Sequence, residues 1–288
     1  MDFFMAGPCE DVAYQHTRDD PSGAAHKRFV EELWAKFYPL ADPHFREDAR
    51  NHFLERFWEM YLAVALIEQG FPLHRHGERG PKFYALIGNR RVWFEPVAPS
   101  LGTTADQVPK PVTGAAAYLS DMKTILRLTN AFGTKRRVYA AALDKGIISP
   151  NDAYVLAINT RDNPPNVAYR NSMPFFIEAF LPLSSGTFIL DEKAIVMRDS
   201  YYQYRPYVTK LSGTCSFTLT FLNDEASFCS AILHSTVDWA NHPAQLGGEF
   251  EVLHNHRAMR PLDAAVFSWC QQYTCRDGQL HRSEPLPR

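Results

Sequence analysis

No segment limits the fold of this chain more than the run from Phe57 to Ile67, FWEMYLAVALI, in which nearly every position is apolar. The surrounding pattern predicts a helix that begins near Asp42, with Pro43 at its first position, and ends at Gly70. A helix that is apolar on all sides has to be covered by other structure. We therefore expect a core helix packed between further layers.

The composition is that of a globular protein. The chain has 288 residues, of which 45% are apolar, and its formal charge is −2. These values exclude a disordered chain, a small disulfide scaffold and a uniformly basic nucleic-acid coat. The five cysteines lack CxxC spacing, which indicates reduced thiols and a cytoplasmic location. The amino terminus lacks a secretory signal, and the run from Met60 to Ile67 is too short to span a bilayer, so no membrane partner is expected.

The first half of the chain alternates between helical and strand patterns. Residues 26–40 predict an amphipathic helix, and residues 114–145 predict a helix that is interrupted near Gly133 and stops at Gly146. Residues 83–87 and 91–96 flank a Gly-Asn-Arg turn and predict a hairpin, while the apolar run 154–159 predicts a strand buried on both faces. This order predicts an α/β fold.

The second half is richer in strands. A short helix is predicted over 173–183, strands over 214–221 and 228–234, and a hairpin over 266–281. Because no repeat or long polar linker separates these elements, we expect one domain over residues 1–288. The stretch from Tyr201 to Tyr207 is either a stacking platform for bases or packed surface.

Glu59 is the only charged side chain in the run from Phe57 to Ile67. A buried carboxylate is costly, so it should be paired, protonated or bound to a metal. The simpler interpretations are an ion pair with Arg56, three residues back on the same helix face, or a position facing solvent.

Glu95 is the second candidate, in the strand pattern VWFEPV. Pro96 follows it and marks a strand end or edge. Alternation places Trp93, Glu95 and Val97 on one face, so position 97 stands beside the glutamate. The alternative is an edge-strand carboxylate in water.

Three motifs in this order resemble the PD-(D/E)XK, restriction-endonuclease-like nucleases. They are a helix with an inward glutamate (RFWEMYLAVALIEQGF), a strand start (GPKFYALI) and a strand with a glutamate (RVWFEPVAP). The resemblance covers about residues 50 to 160. It implies a mixed central sheet flanked by helices, with a nuclease-like core over 26–160 and a strand-rich extension over 161–288. In active members the helix glutamate, an aspartate and the strand glutamate hold Mg²⁺, and a lysine two residues later assists.

Mapped onto this chain, Glu59 and Glu95 match the metal ligands, but two positions depart from the motif. Lys82 stands where the aspartate is expected, and Val97 stands where the lysine is expected. Mg²⁺ takes hard oxygen ligands, so an ammonium group beside it is repulsive. Lys82 could instead supply the missing lysine's role, or Lys123 and Arg127 of the following helix could do so.

The resemblance therefore implies a Mg²⁺-dependent nuclease, with Glu59, Glu95 and Lys82 as catalytic residues. The alternative is an inactive nuclease-like binding or regulatory module without a cofactor. The expected partner is DNA or RNA. A homodimer, in which a second copy of the chain is the partner, is left open. The residues expected to contact phosphates are Lys123, Arg127, Arg91 and Lys135, within a wider basic group comprising His74, Arg75, His76, Arg79, Lys82, Arg90, Arg136 and Arg137.

A third class of function is a histidine-ligated metalloenzyme. His74 and His76 form one pair with a spacing of two, and His254 and His256 form another, so a strand would put each pair on one face. Two imidazoles are too few for a metal site, and the alternative is hydrogen-bonding or surface histidines.

Overall fold

The structure is a computed structural model that describes residues 2–77, 80–110, 121–163, 173–190 and 197–285, with the side chains of 185–190 and 197–201 left out. The chain forms two compact units, each assembled from separate stretches. Unit one comprises Met1–Ala98, Arg137–Arg161 and Phe228–Arg288, and unit two comprises Pro99–Arg136 and Asp162–Ser227.

Unit one is built around an eight-stranded mixed sheet, so the chain has an α/β fold. The strands are β1 (Leu73–Arg75), β2 (Phe83–Ile87), β3 (Arg90–Val97), β4 (Ala153–Asn159), β9 (Ala231–Ser235), β10 (Glu251–His254), β11 (Gln271–Arg276) and β12 (Gln279–Ser283). Their spatial order is β1-β2-β3-β4-β9-β10-β11-β12. The first three strands are antiparallel, and β4 runs parallel to both of its neighbours, β3 and β9.

Local sequence explains the centre of this sheet. The predicted hairpin is present, and Gly88 in its turn has φ of 60°, a conformation that glycine adopts without strain. All seven residues of β4 are buried, as its continuous apolar run predicts. The predicted hairpin at the end of the chain is also present as β11 and β12, with its turn at Asp277 and Gly278.

The first stretch of unit one also contains α-helices. They are α1 (Val12–Asp19), α2 (Ala24–Phe37), α3 (Phe45–Ala49) and α4 (Phe53–Glu68). The predicted core helix is α4, whose residues from Phe57 to Leu66 are all buried. The apolar side chains among them share one core with Val92 and Phe94 of the sheet. Within the part of the chain described, no helix is both long and apolar enough to cross a bilayer.

The prediction of one continuous helix from Asp42 to Gly70 is wrong, because the chain breaks between α3 and α4. His52 lies outside the helical region, with φ of −140° and ψ of 56°. The break is held by a distant residue: the Asp11 carboxylate accepts the Phe53 N–H at 2.9 Å, and the Asp11 N–H donates to the Arg50 carbonyl at 3.0 Å. A contact across some forty positions leaves no local signal in the sequence.

Unit two holds the first part of α5 (Asp121–Asp144), the short helix α6 (Phe175–Phe180) and two small antiparallel sheets. The sheets pair β5 (Leu183–Leu190) with β6 (Met197–Tyr204), and β7 (Tyr207–Thr209) with β8 (Cys215–Phe217). The strand predicted over 214–221 is shorter than expected, because the chain enters a 3₁₀ turn at Thr220–Leu222. The start of the predicted helix over 114–145 lies outside the described residues up to position 120. The interruption predicted near Gly133 is wrong, because α5 continues through this residue.

Candidate functional site

Lys82, just before strand β2, contacts both glutamates singled out by the sequence. Its Nζ lies 3.6 Å from Glu59 Oε2, and its backbone N–H donates to Glu95 Oε2 at 3.2 Å. The two carboxylates come from positions 36 residues apart along the chain, on a helix and on a strand. They are therefore joined through one lysine.

Glu59 is buried on α4, with 3% of its surface exposed. Arg56 Nη1 donates to its Oε2 at 2.7 Å, so the expected ion pair is present, and Arg56 Nη2 also reaches Asp48 Oδ2 at 2.9 Å. Burial raises the pKa of Glu59 above its ordinary value, against the opposing effect of Lys82 and Arg56. Its other oxygen, Oε1, is buried and has no hydrogen-bond partner among the described residues.

Glu95 lies on the opposite side of strand β3 from the α4 core. Phe94 packs with α4, and alternation turns Glu95 to the face that carries Trp93. The carboxylate of Glu95 is 2% exposed on an internal strand, which contradicts the alternative of an edge-strand group in water. Val97, at the expected lysine position, is half-buried and brings no charge.

A divalent cation does not fit these groups as they stand. Oε2 of Glu59 already faces two cationic side chains, and Glu95 is turned to the other face of the sheet. At about 4 Å and an effective dielectric near 20, a divalent ion beside an ammonium is repelled by roughly 8 kcal/mol. Across the described ranges, no three histidine, cysteine, aspartate or glutamate side chains converge to hold a metal ion.

Arg91, on β3 in unit one, is one of the predicted phosphate contacts, and neighbouring side chains hold its guanidinium group. Its Nε lies 3.3 Å from Asp152 Oδ2, and its guanidinium carbon lies 5.8 Å and 5.7 Å from the ring centres of Tyr84 and Trp93. Asp152 also accepts the Trp93 Nε1–H at 2.8 Å. Arg91 therefore combines positive charge with a stacked, partly exposed guanidinium plane.

The other predicted phosphate contacts belong to unit two. Lys123 Nζ donates to the Gln107 carbonyl at 3.0 Å, and Arg127 Nε donates to the Ser100 carbonyl at 2.7 Å. Burial lowers the pKa of Arg127. Both side chains thus hold the chain segment that precedes α5. Lys135 lies later on the same helix and is half-buried.

The structure describes only part of two further groups named from the sequence, the tyrosine-rich stretch and the basic group. Tyr202, Tyr204 and Tyr207 are 48%, 69% and 48% exposed, while the side chain of Tyr201 lies outside the described residues. These three rings are therefore not packed surface, and base stacking by them stays a prediction. Arg79 of the basic group also lies outside the described residues.

The two histidine pairs have different surroundings. His74 stacks on Tyr84 with ring centres 5.2 Å apart, and His76 meets Trp93 edge-on at 5.7 Å. His254 Nε2 lies 2.7 Å from Gln272 Oε1, and burial lowers the pKa of His254, while His256 is exposed. Ring contacts or a hydrogen bond therefore explain the positions of three of the four imidazoles, those of His74, His76 and His254.

A chain of three polar groups at one end of the sheet has no counterpart among the sequence predictions. Thr160 Oγ1 lies 2.9 Å from His234 Nε2, and His234 Nδ1 lies 3.2 Å from Glu251 Oε2. The order matches a nucleophile, a base and an orienting carboxylate. Thr160 is only 3% exposed, however, so its hydroxyl is not presented to solvent, and the three groups join the residue after β4 to β9 and β10. No local spacing could have revealed groups 74 positions apart.

Comparison of this chain with protein-family models, with curated proteins and with solved structures finds no match.

Proposed function

We propose that this chain is a nucleic-acid-binding protein with a restriction-endonuclease-like core, in which the Lys82 ammonium neutralises Glu59, one of the carboxylates that active nucleases use for metal. One observation carries the proposal: Lys82 contacts both Glu59 and Glu95. An internal ammonium in this position supplies the positive charge that a metal ion would otherwise bring. The binding function then needs no cofactor.

The order of elements supports the scaffold. Helix α4 is followed by three antiparallel strands, then by α5 and by β4, which is parallel to β3. The glutamates stand on the helix and on the third of these strands, as in the motifs that the sequence resembles. The strand-rich extension adds β9 to β12 to the same sheet.

The affinity for nucleic acid is assigned to the exposed side of the first three strands. Arg91 stands on β3 on the face that carries Trp93, and His74 and His76 lie near it on and after β1. Positive side chains of this kind attract phosphates through release of counterions. Arg91 is the residue in which charge and exposure coincide, with 34% of its side chain accessible.

The test is fluorescence anisotropy with labelled DNA and RNA strands, measured in EDTA and over a range of salt concentrations. We expect binding that does not require a divalent metal and that weakens steeply with salt. Arg91→Gln should weaken binding and lower the salt slope by about one. Arg282→Gln is the matched control, because Arg282 sits on β12 at the other sheet edge and also has one carboxylate partner, Glu284, at 3.2 Å. Absence of salt-dependent binding, or equal losses in both variants, would refute the proposal.

Metal-dependent cleavage is the second candidate, and one observation favours it. Oε1 of Glu59 is buried without a donor among the described residues, as a ligand oxygen would be in the absence of its ion. Plasmid, linear and single-stranded substrates incubated with Mg²⁺ or Mn²⁺ separate the two candidates. The binding proposal predicts no cleavage. Cleavage that is lost in Glu95→Ala would establish the nuclease instead, and cleavage that survives this change would indicate a contaminant.

A further inference from the structure

Three aromatic rings line up across the first three strands of the sheet. His74 of β1 pairs in register with Tyr84 of β2, and Tyr84 pairs with Trp93 of β3. The ring centres of His74 and Tyr84 are 5.2 Å apart with an angle of 28° between their planes, and those of Tyr84 and Trp93 are 4.9 Å apart. We call these three residues the ring ladder.

The ring ladder becomes more accessible towards the edge of the sheet. Trp93 is fully buried, Tyr84 is half-buried, and His74 is exposed on the edge strand β1. One face of the His74 imidazole is stacked on Tyr84, so the ladder presents a ring at its accessible end. A flat partner can therefore extend the stack at His74.

A charged group beside the ring ladder favours an anionic partner. Arg91 lies over both Tyr84 and Trp93. Its guanidinium carbon is 5.8 Å from the Tyr84 ring centre, which is 5.2 Å from that of His74, so a cation and a stacking surface lie within reach of one another. Aromatic rings that alternate with cationic side chains are the arrangement by which proteins hold unpaired bases and their phosphates.

We propose that the ring ladder binds an unpaired base of a single-stranded nucleic acid, with the base stacked on His74 and its backbone beside Arg91. The inference rests on the proposed function and specifies its ligand. A base inside a duplex has both faces covered by its neighbours, so it cannot extend the ladder. Stacking also makes little distinction among the four bases, so the site is expected to tolerate any sequence.

The experiment compares three labelled ligands of equal length by anisotropy: a single strand, the duplex of the same sequence, and a single strand with abasic positions. The ring ladder predicts that the intact single strand binds tightest. His74→Ala should weaken its binding about tenfold, the range that removal of one stacking contact produces. The same variant should leave binding of the abasic strand unchanged, and His74→Phe, which keeps a ring, should retain most of the affinity.

His281→Ala is the matched control, because His281 is an exposed histidine on the opposite edge strand, β12. His74 is exposed, so neither variant should perturb folding, and the thermal midpoint verifies this. Equal binding of intact and abasic strands, or equal affinities of His74→Ala and His281→Ala, would overturn the ring ladder alone. Failure of all three ligands to bind at low salt would overturn the proposed function as well.

Discussion

The Lys82 ammonium lies 3.6 Å from Glu59 Oε2, and Arg56 Nη1 contacts the same oxygen at 2.7 Å. Two cations thus compensate one buried acid, while the backbone of the same lysine binds Glu95. Lys82 is therefore an internal part of the site, and we expect its removal to affect both stability and the pKa of Glu59.

Replacing Lys82 with methionine should raise the pKa of Glu59 further, because Lys82 makes the largest of the charge interactions that lower this pKa. We expect a loss of about 2 kcal/mol in the free energy of unfolding at pH 8, less than for a fully buried pair because Arg56 remains. A raised carboxyl pKa disfavours folding as pH increases, so the loss should shrink at pH 5. Urea unfolding at both pH values measures it.

Lys36→Met provides the control for this change. Lys36 pairs with Glu68 at the other end of α4 at 2.5 Å, but both side chains are largely exposed. An exposed pair contributes little, so this variant should differ from the original protein by well under 1 kcal/mol. Equal effects of the two substitutions would show that Lys82 does not stabilise Glu59.

Restoring the two missing residues of the motif, by Lys82→Asp together with Val97→Lys, should create affinity for a divalent cation. The first change removes the repelling ammonium and adds an oxygen ligand of the type that Mg²⁺ prefers. Calorimetric titration with Mg²⁺ or Mn²⁺ measures the gain, and Val97→Lys alone is the control. A folded double variant without metal affinity would count against the nuclease-like core.

Glu178 in unit two should make stability depend on pH. It is buried beside Arg205, and burial raises its pKa from 4.5 to about 7. The folded protein thus retains a proton that the unfolded chain releases near pH 4.5. Stability from this group is full below that value and falls as pH rises to 7, by about 3 kcal/mol. Thermal melts from pH 4.5 to 8 measure the decline, and Glu178→Gln should flatten it. An unchanged profile in that variant would exclude Glu178 as its source.

Asp11→Ala should destabilise two helices at once. One oxygen of Asp11 caps α1 through Ala13 and Tyr14, and the other accepts the Phe53 N–H at the start of α4. Losing one cap costs about 1 kcal/mol, so we expect roughly 2 kcal/mol in urea unfolding. Asp20→Ala is the control, since Asp20 caps a single 3₁₀ turn. A loss no larger than that of the control would show that the link to Phe53 contributes nothing.

The sequence patterns correctly predicted the elements that are stabilised by contacts between residues close in sequence. The β2–β3 hairpin follows from a glycine turn between two apolar runs, and β4 follows from an uninterrupted apolar run. The Glu59–Arg56 pair follows from a spacing of three on one helix face. In each case the partners are close in sequence, so the pattern contains the interaction.

Contacts between distant positions could not be predicted in this way. The break between α3 and α4 depends on Asp11, and the Thr160–His234 contact joins two strands whose pairing the sequence does not specify. The ring ladder is an intermediate case. Alternation along each strand could have placed His74, Tyr84 and Trp93 on one face, but only the register of three strands aligns them.

The central strand β4 has consequences for how this protein is synthesised. Its neighbour β3 precedes it in the chain, but its other neighbour, β9, begins only at Ala231, after the second stretch of unit two. A strand whose seven residues are all buried in the folded protein thus leaves the ribosome with one side lacking its partner. Such an edge is prone to join another nascent chain. We therefore expect β4 to remain an open sheet edge until the residues that follow Ser227 have been synthesised.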